Sequence, residues 1–447
     1  MNRGRLPLNS RWSRDALAAT SRGWLDWPRQ HLRTPLYGNA YYLMATSAVR
    51  SLSGPVFWVV AAQFYGPTDV GLGSATVSAS LLLATLSSLG LGFGLMRFLP
   101  HAGDDRNDMV NSSFALLTLV SILAAAIFLI GLPTWSPALT VLRHHPYFVI
   151  SFILFTGVAT LSDVTDRVFI AHRAARFTFY KSAVASIFKL PLPLLFVGLS
   201  AGAGIAFSMW TPMILALAVS LLWFLPRLQQ GYLPMPVLRK EVMSGLMRYS
   251  LANYGADLLR TVPTGLLPLM VIGILGAKSN AYFFAAWTVA QPLFMVSFAV
   301  SSSLFAEGSH DEQSLPRTVV KALQVTLPIL ILGVMLVFLI GDRLLLVFGQ
   351  QYSQNATSVL RLLSLSALPI AVRAVGLTVY RVRKELRKVV VICALDASLT
   401  VALAYQLPRH LGLDGVGLGL LLAQLTVVAV MLCTELRRYR GRTGVPS

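Results

Sequence analysis

Charge is what this chain of 447 residues has least of: Asp, Glu, Lys and Arg make up only 12% of it. A soluble domain carries roughly 25%. So little charge cannot cover the two or three water-soluble domains that this length would need, and an ordinary soluble enzyme is excluded first. Acid is scarcer still, with 18 Asp and Glu against 37 Lys and Arg and a formal net charge of +19. A nucleic-acid binder would concentrate such a surplus on a soluble module; here it is scattered between apolar runs, so no nucleic-acid partner is expected. The only cysteines, Cys393 and Cys433, sit inside apolar segments, which excludes a disulfide framework. None of the seven histidines falls in an apolar run or at ligand spacing, so neither a metal site nor a cofactor is expected. No phosphate-binding Gly-x4-Gly-Lys-Ser/Thr loop occurs, and ATP does not drive this chain directly. Gly71, Gly73, Gly90, Gly92 and Gly94 are not in strand–turn–helix context; close helix packing accounts for them better.

What is present is apolar length. The chain is 55% hydrophobic, and a bilayer crossing takes about 20 apolar residues. Twelve runs qualify: 37–64, 70–96, 110–132, 147–170, 178–199, 203–225, 248–274, 280–304, 319–341, 358–380, 389–407 and 414–434. The expected fold class is therefore an all-α polytopic membrane protein of about twelve transmembrane helices. Cytoplasmic loops collect Lys and Arg. With both termini cytoplasmic, 26 of the 37 basic residues fall on that side, four on the other and seven within spans. The hairpin at Ser200–Gly204 is the weakest turn. It is required because 182–226 connects two basic segments on one side with length for two crossings. The Arg-rich leader, 1–35, lacks a small-residue cleavage site and reads as a retained tail that lies on anionic lipid or frays, with Trp12, Trp24 and Trp27 along it.

The first and seventh spans share a pattern. Arg50 precedes Gly66 of the turn after its span by 16 residues, Arg260 precedes Gly276 likewise, and Pro55 and Pro263 follow the arginines. The offset of 210 is close to half the chain. Six helices per half give both halves one orientation, as in parallel repeats. The expected division is a basic tail 1–35, an N-lobe 36–225, a cytoplasmic linker 226–247, a C-lobe 248–434 and a basic tail 435–447.

Two segments carry a family resemblance. Tyr65-Gly-Pro-Thr-Asp-Val-Gly-Leu-Gly73 and Gly90-Leu-Gly-Phe-Gly-Leu-Met-Arg-Phe-Leu-Pro100 resemble the corresponding segments of polysaccharide exporters in the multidrug/oligosaccharidyl-lipid/polysaccharide (MOP) exporter superfamily, nearest the Wzx-type flippases. The resemblance implies two six-helix lobes around a central cavity that opens to each side in turn. It implies transport rather than enzymatic catalysis, in the cell inner membrane, of an undecaprenyl-diphosphate-linked oligosaccharide, alongside polysaccharide assembly proteins. Related lipid II flippases place cavity arginines on their first helix, a role that passes by position to Arg50.

Charges at bilayer depth are costly and face a partner or a wet cavity. Arg50 and Arg260 lie about 24 Å below the outer turns, and a guanidinium offers phosphate a planar fork of donors. Snorkelling is the competing role for both, and Asp257, three residues before Arg260, offers it a local ion pair. Arg97, ending the second span, is a portal contact for an anionic headgroup or an interfacial anchor. Asp163, Asp166 and Arg167 are candidates for gating or ion coupling, as is Asp257; a structural ion-pair network is the alternative. Lys189 lies deeper on the fifth span. Arg373 and Asp396, on sequential helices, are expected to pair. Trp58, after Arg50, and Trp287, beside Phe283 and Phe284, are candidates to stack on sugar faces. Three competitors remain: a cation-coupled drug antiporter of the same superfamily, a membrane enzyme of polysaccharide assembly, and a scaffold for such a machine.

Overall fold

The computed structural model describes residues 35–199, 202–310 and 315–443. The leader with its three tryptophans, residues 200–201 of the weakest turn and the last four residues lie outside them. Among the described residues the chain is helical, with no strand. In order, the helices are α1 (Pro35–Phe64), α2 (Pro67–Ser87), α3 (Leu91–Phe98), α4 (Arg106–Trp135), α5 (Pro146–Ala171), α6 (Ala175–Phe188), α7 (Ala203–Val219), α8 (Lys240–Leu275), α9 (Ala277–His310), α10 (Leu315–Leu346), α11 (Gln350–Val382), α12 (Leu386–Gln406) and α13 (Pro408–Thr443). Eleven helical stretches are long and apolar enough to cross a membrane. The protein is a multi-pass membrane protein.

The expected fifth crossing, 178–199, is not a continuous helix. α6 stops at Phe188, one further turn forms at Leu192–Leu195, and Pro191 and Pro193 explain the break. Proline removes an N–H, and its ring disfavours helical geometry in the residue before it. The segment nevertheless runs the length of α1. At one end Ala175 N donates to Asn39 Oδ1 (2.9 Å) near the start of α1; at the other Gly202 N donates to Asp69 Oδ1 (3.1 Å) just past its end. With this segment added to the eleven continuous stretches, the path has twelve crossings. The second crossing is interrupted too, between α2 and α3. Gly90 there has φ +67°, and a Cβ on it would press on the Ser250 carbonyl of α8 at 2.7 Å, so only glycine fits.

The repeat inferred from two matched positions recurs in the backbone. α5 and α6 meet at Arg173 (φ +54°), and α11 and α12 meet at Lys384 (φ +57°), 211 residues later. Each turn closes the same way: Ala174 N donates to Phe169 O and Glu385 N to Tyr380 O, both at 2.9 Å, the six-to-one bond of a left-handed helix cap. Gly202 and Gly412, 210 apart, both have positive φ, the first at the start of α7 and the second at a kink within α13. Pairing repeats as well, since α1 packs on α6 and α8 on α12.

The segment that leads into α8 is tied to the preceding helices. α8 begins at Lys240, eight residues before the expected span. The preceding stretch is strapped to the first half: Asn111 Nδ2 donates to Leu233 O (2.8 Å), Arg239 N to Ser112 Oγ (3.0 Å), and Arg239 pairs with Asp108 at 2.7 Å. Tyr232 is buried, and Met243 and Leu246 join the same apolar cluster as Leu91, Leu95 and Phe114.

Candidate functional site: charged clusters in the two halves

Asp166 organises the charge of the first half. Its Oδ2 accepts from Arg50 Nη2 at 2.8 Å, and its Oδ1 lies 2.6 Å from Lys181 Nζ. Arg50 Nε and Nη2 also donate to Ser182 Oγ, at 3.0 and 2.7 Å. Lys181 Nζ also donates to Ser162 O (2.7 Å) and Ser162 Oγ (3.1 Å). α1, α5 and α6 thus meet around one carboxylate and two cations. Exposure divides them. The Asp166 and Lys181 side chains are 11% and 3% exposed, whereas Arg50 is 53% exposed. Arg50 Nη1 makes no hydrogen bond among the described residues.

Lys181 is a correction. The topology tally counts it in a cytoplasmic segment, yet it is buried in the bundle because Asp166 and Ser162 receive it. Turn symmetry would have found it: Asp166 lies seven residues before the turn residue Arg173 and Lys181 eight after, so antiparallel packing brings them level. Asp163 is largely exposed and 4.0 Å from Arg167 on its own helix. The Arg167 guanidinium also lies over the Phe93 ring at 5.2 Å. Lys189, at the break of the fifth crossing, is 6.0 Å from the Phe57 ring centre.

In the second half Arg260 pairs with Asp257 at 2.8 Å through one nitrogen and is 57% exposed. Like Arg50, it keeps donors unengaged among the described residues. The expected Arg373–Asp396 pair is present at 2.9 Å, both partners 14% exposed. Gln424 closes a ring with them, accepting from Arg373 Nε (2.8 Å) and donating to Asp396 Oδ1 (2.6 Å).

Other candidates take packing positions. Arg97 stacks over Tyr249 of α8 at 4.5 Å, bridging the halves. Trp58 is buried, its ring 4.5 Å from that of Phe284 on α9. Trp287 packs on Phe283 and Phe294. The halves are closed together near the ends of α1 and α8 that lie away from the basic turns. Asn280 Nδ2 donates to Gly71 O (2.8 Å) and Ser74 Oγ (3.1 Å), Gln63 Nε2 donates to Val347 O (2.7 Å), and Gly71 abuts the Ala277 carbonyl so closely that any side chain there would clash. Beside this seam Tyr65 donates to Pro193 O (2.9 Å), and burial, helped by Asp69, pushes its phenol up to about 12, so it remains a donor.

No family model matches the sequence. No curated protein matches it either. Solved structures do match. An inward-facing multidrug resistance MATE family transporter of the MOP superfamily superposes with a TM-score of 0.66 at 16% identity, over 90% of this chain and 99% of that one. The fold is that of the MATE transporters. An outward-facing MATE transporter gives 0.58 at 16% identity, over 93% and 99%. A MOP superfamily transporter from Pyrococcus furiosus Vc1 gives 0.56 at 15%, over 92% and 98%; a reversed polarity of its binding pocket is described as suggesting a different function. In this structure the seam between α2 and α9 joins the two halves. Cysteines at Ser74 and Asn280 are expected to cross-link under mild oxidation and lock the molecule in this state. Mobility on non-reducing gels after cleavage between the halves checks this; two separable fragments under oxidation would count against a stable seam.

Proposed function

We propose that the protein exports an anionic lipid-linked substrate, an undecaprenyl-diphosphate-linked oligosaccharide, by alternating access across the inner membrane, with both termini cytoplasmic. One observation carries this. Arg50 and Arg260 occupy matched positions in the two repeats, and each keeps more than half its side chain exposed and donors unengaged although a carboxylate stands beside it. A diphosphate can add to such a guanidinium without displacing the existing pair. The Arg50–Asp166–Lys181 cluster carries a surplus of one positive charge, which suits an anion and repels a cationic drug. In this reading Asp163 and Asp257 with their arginines are gating pairs, and Arg97 on Tyr249 borders the entry from the lipid. Trp58 and Trp287 reach the sugar only when the α2–α9 seam parts. Assembly proteins for the polymer are the expected partners.

The test uses the full chain in vesicles with a fluorescent short-chain polyprenyl diphosphate and a membrane-impermeant quencher. Arg50→Gln and Arg260→Gln are each expected to slow flipping at least tenfold while leaving the melting temperature within a few degrees. Wild-type rates in both variants would sink the proposal. A second reading, a cation-coupled drug antiporter, is favoured by the multidrug transporters among the fold neighbours. It predicts drug resistance on overexpression and no flipping of the diphosphate.

A further inference from the structure

Ion-coupled carriers need a carboxylate that a small cation enters and leaves as the protein rocks. Each half of this chain buries one carboxylate where three crossings meet, Asp166 between α1, α5 and α6 and Asp396 between α11, α12 and α13. Each oxygen of both has a cation or an amide against it. Around Asp166 one oxygen faces the Lys181 ammonium at 2.6 Å and the other the Arg50 guanidinium at 2.8 Å. Around Asp396, Arg373 takes one oxygen at 2.9 Å, and the Gln424 amide takes the other at 2.6 Å with Thr400 Oγ1 at 3.5 Å. We infer that Lys181 and Arg373 are tethered cations standing where a diffusible sodium ion or proton would bind, and that the transport cycle runs without a coupling cation.

Three observations support this. First, all partners of each carboxylate belong to the same half, so a rigid rocking of one half against the other does not separate them. Second, the cations are as buried as the carboxylates. Lys181 is 3% exposed and also donates to Ser162; a sodium ion taking its place would strand an ammonium in an apolar bundle, which is unfavourable. Third, two more exposed carboxylates, Asp163 and Asp257, each have an arginine on their own helix, Arg167 and Arg260. The charged groups facing Asp166 are thus Arg50, Lys181, Asp163 and Arg167, and Arg260 stands on the helix packed against that of Asp396. The driving force is then the cargo gradient together with the membrane potential, whose negative interior pushes an anionic headgroup outward. This last step rests on the anionic cargo proposed above; the tethered cations at Asp166 and Asp396 do not.

Binding of sodium-22 to the purified full-length protein, with choline chloride holding the ionic strength, tests the site without any cargo. Wild-type protein is expected to show no saturable binding and the same melting temperature in sodium, potassium and choline. Lys181→Met frees one oxygen of Asp166 and is expected to gain sodium- or pH-dependent stability, a shift of several degrees. Arg373→Met does the same in the other half where the first variant fails to fold. Saturable sodium binding by wild type, lost in Asp166→Asn, would overturn the inference, as would folded variants that gain no cation dependence. In phosphatidylethanolamine–phosphatidylglycerol vesicles, flipping of the polyprenyl diphosphate probe is expected to be unchanged, within twofold, when sodium or pH gradients are collapsed. An absolute requirement for either gradient would also overturn it. A probe that is not flipped at all refutes the proposed cargo and leaves the sodium-binding result standing.

Discussion

Asp166→Ala is expected to lower stability by about 3–5 kcal/mol, the range for removing one partner of a buried ion pair. The size follows from what is left behind. Lys181 stays in the bundle at 3% exposure with only the Ser162 oxygens to receive it, and Arg50 keeps Ser182 alone. A buried ammonium with neutral partners costs far more than the lost attraction. The double variant Asp166→Leu with Lys181→Met is expected to recover most of the loss, because apolar residues of similar volume often replace a buried pair without penalty. Thermal unfolding of the purified protein in one detergent measures both. A single variant that melts within a degree of wild type would show that Lys181 escapes to water, contrary to its burial.

Asp396→Ala is the second large effect, and its signature is rescue. Alone it leaves Arg373 facing only Gln424 Oε1 and leaves the Gln424 amide without its acceptor. Adding Arg373→Ala removes the stranded charge, so the double variant is expected to be more stable than Asp396→Ala. Rescue is partial because Gln424, 2% exposed, then has no polar partner left in the ring. Contacting residues show coupling energies of about 0.5–3 kcal/mol in double-mutant cycles, and a value in the upper half is expected here. Additive losses from the two single variants would show that the ring acts as independent contacts.

The contrast between these clusters shows how far the sequence could be read. Arg373 and Asp396 lie eleven residues before and twelve after the turn residue Lys384, so two antiparallel helices bring them level, and the pair was legible from their midspan positions. Asp166 and Lys181 obey the same rule about Arg173. There the lysine sits close enough to the turn to be counted as a loop residue, and what buries it is a carboxylate on the preceding helix. The twelve crossings were legible because lipid-facing length requires apolar residues. The break in the fifth was signalled by Pro191 and Pro193, but its completion depends on Asn39 and Asp69, which sit at opposite ends of another helix. The packing of the aromatic candidates was hidden for a similar reason. Trp58 has Phe57 and Arg50 as sequence neighbours, yet its decisive neighbour is Phe284, more than two hundred residues away. Locally determined features, such as periodicity, turns and i, i+3 pairs like Asp257–Arg260, could be read. Features set by the seam between halves could not.

The strapped connector has a mechanical consequence. Residues 232–239 are pinned to α4, and the opening turns of α8 are embedded in the apolar cluster beneath them. Further along the same helix, Leu267 and Val271 are buried where α9 and α11 meet α1, and Ile272 joins the apolar cluster of the first half. One continuous helix is therefore held at both ends, and the slack of a loop is not available between them. Any swing must be taken up as bending of the axle itself, in the stretch from Ser250 to Leu267 where Gly255, Pro263 and Gly265 weaken the backbone ladder. In the alternating-access cycle proposed above, α8 would then work as a flexure, a spring whose stiffness sets how far the molecule opens, in place of a free pivot.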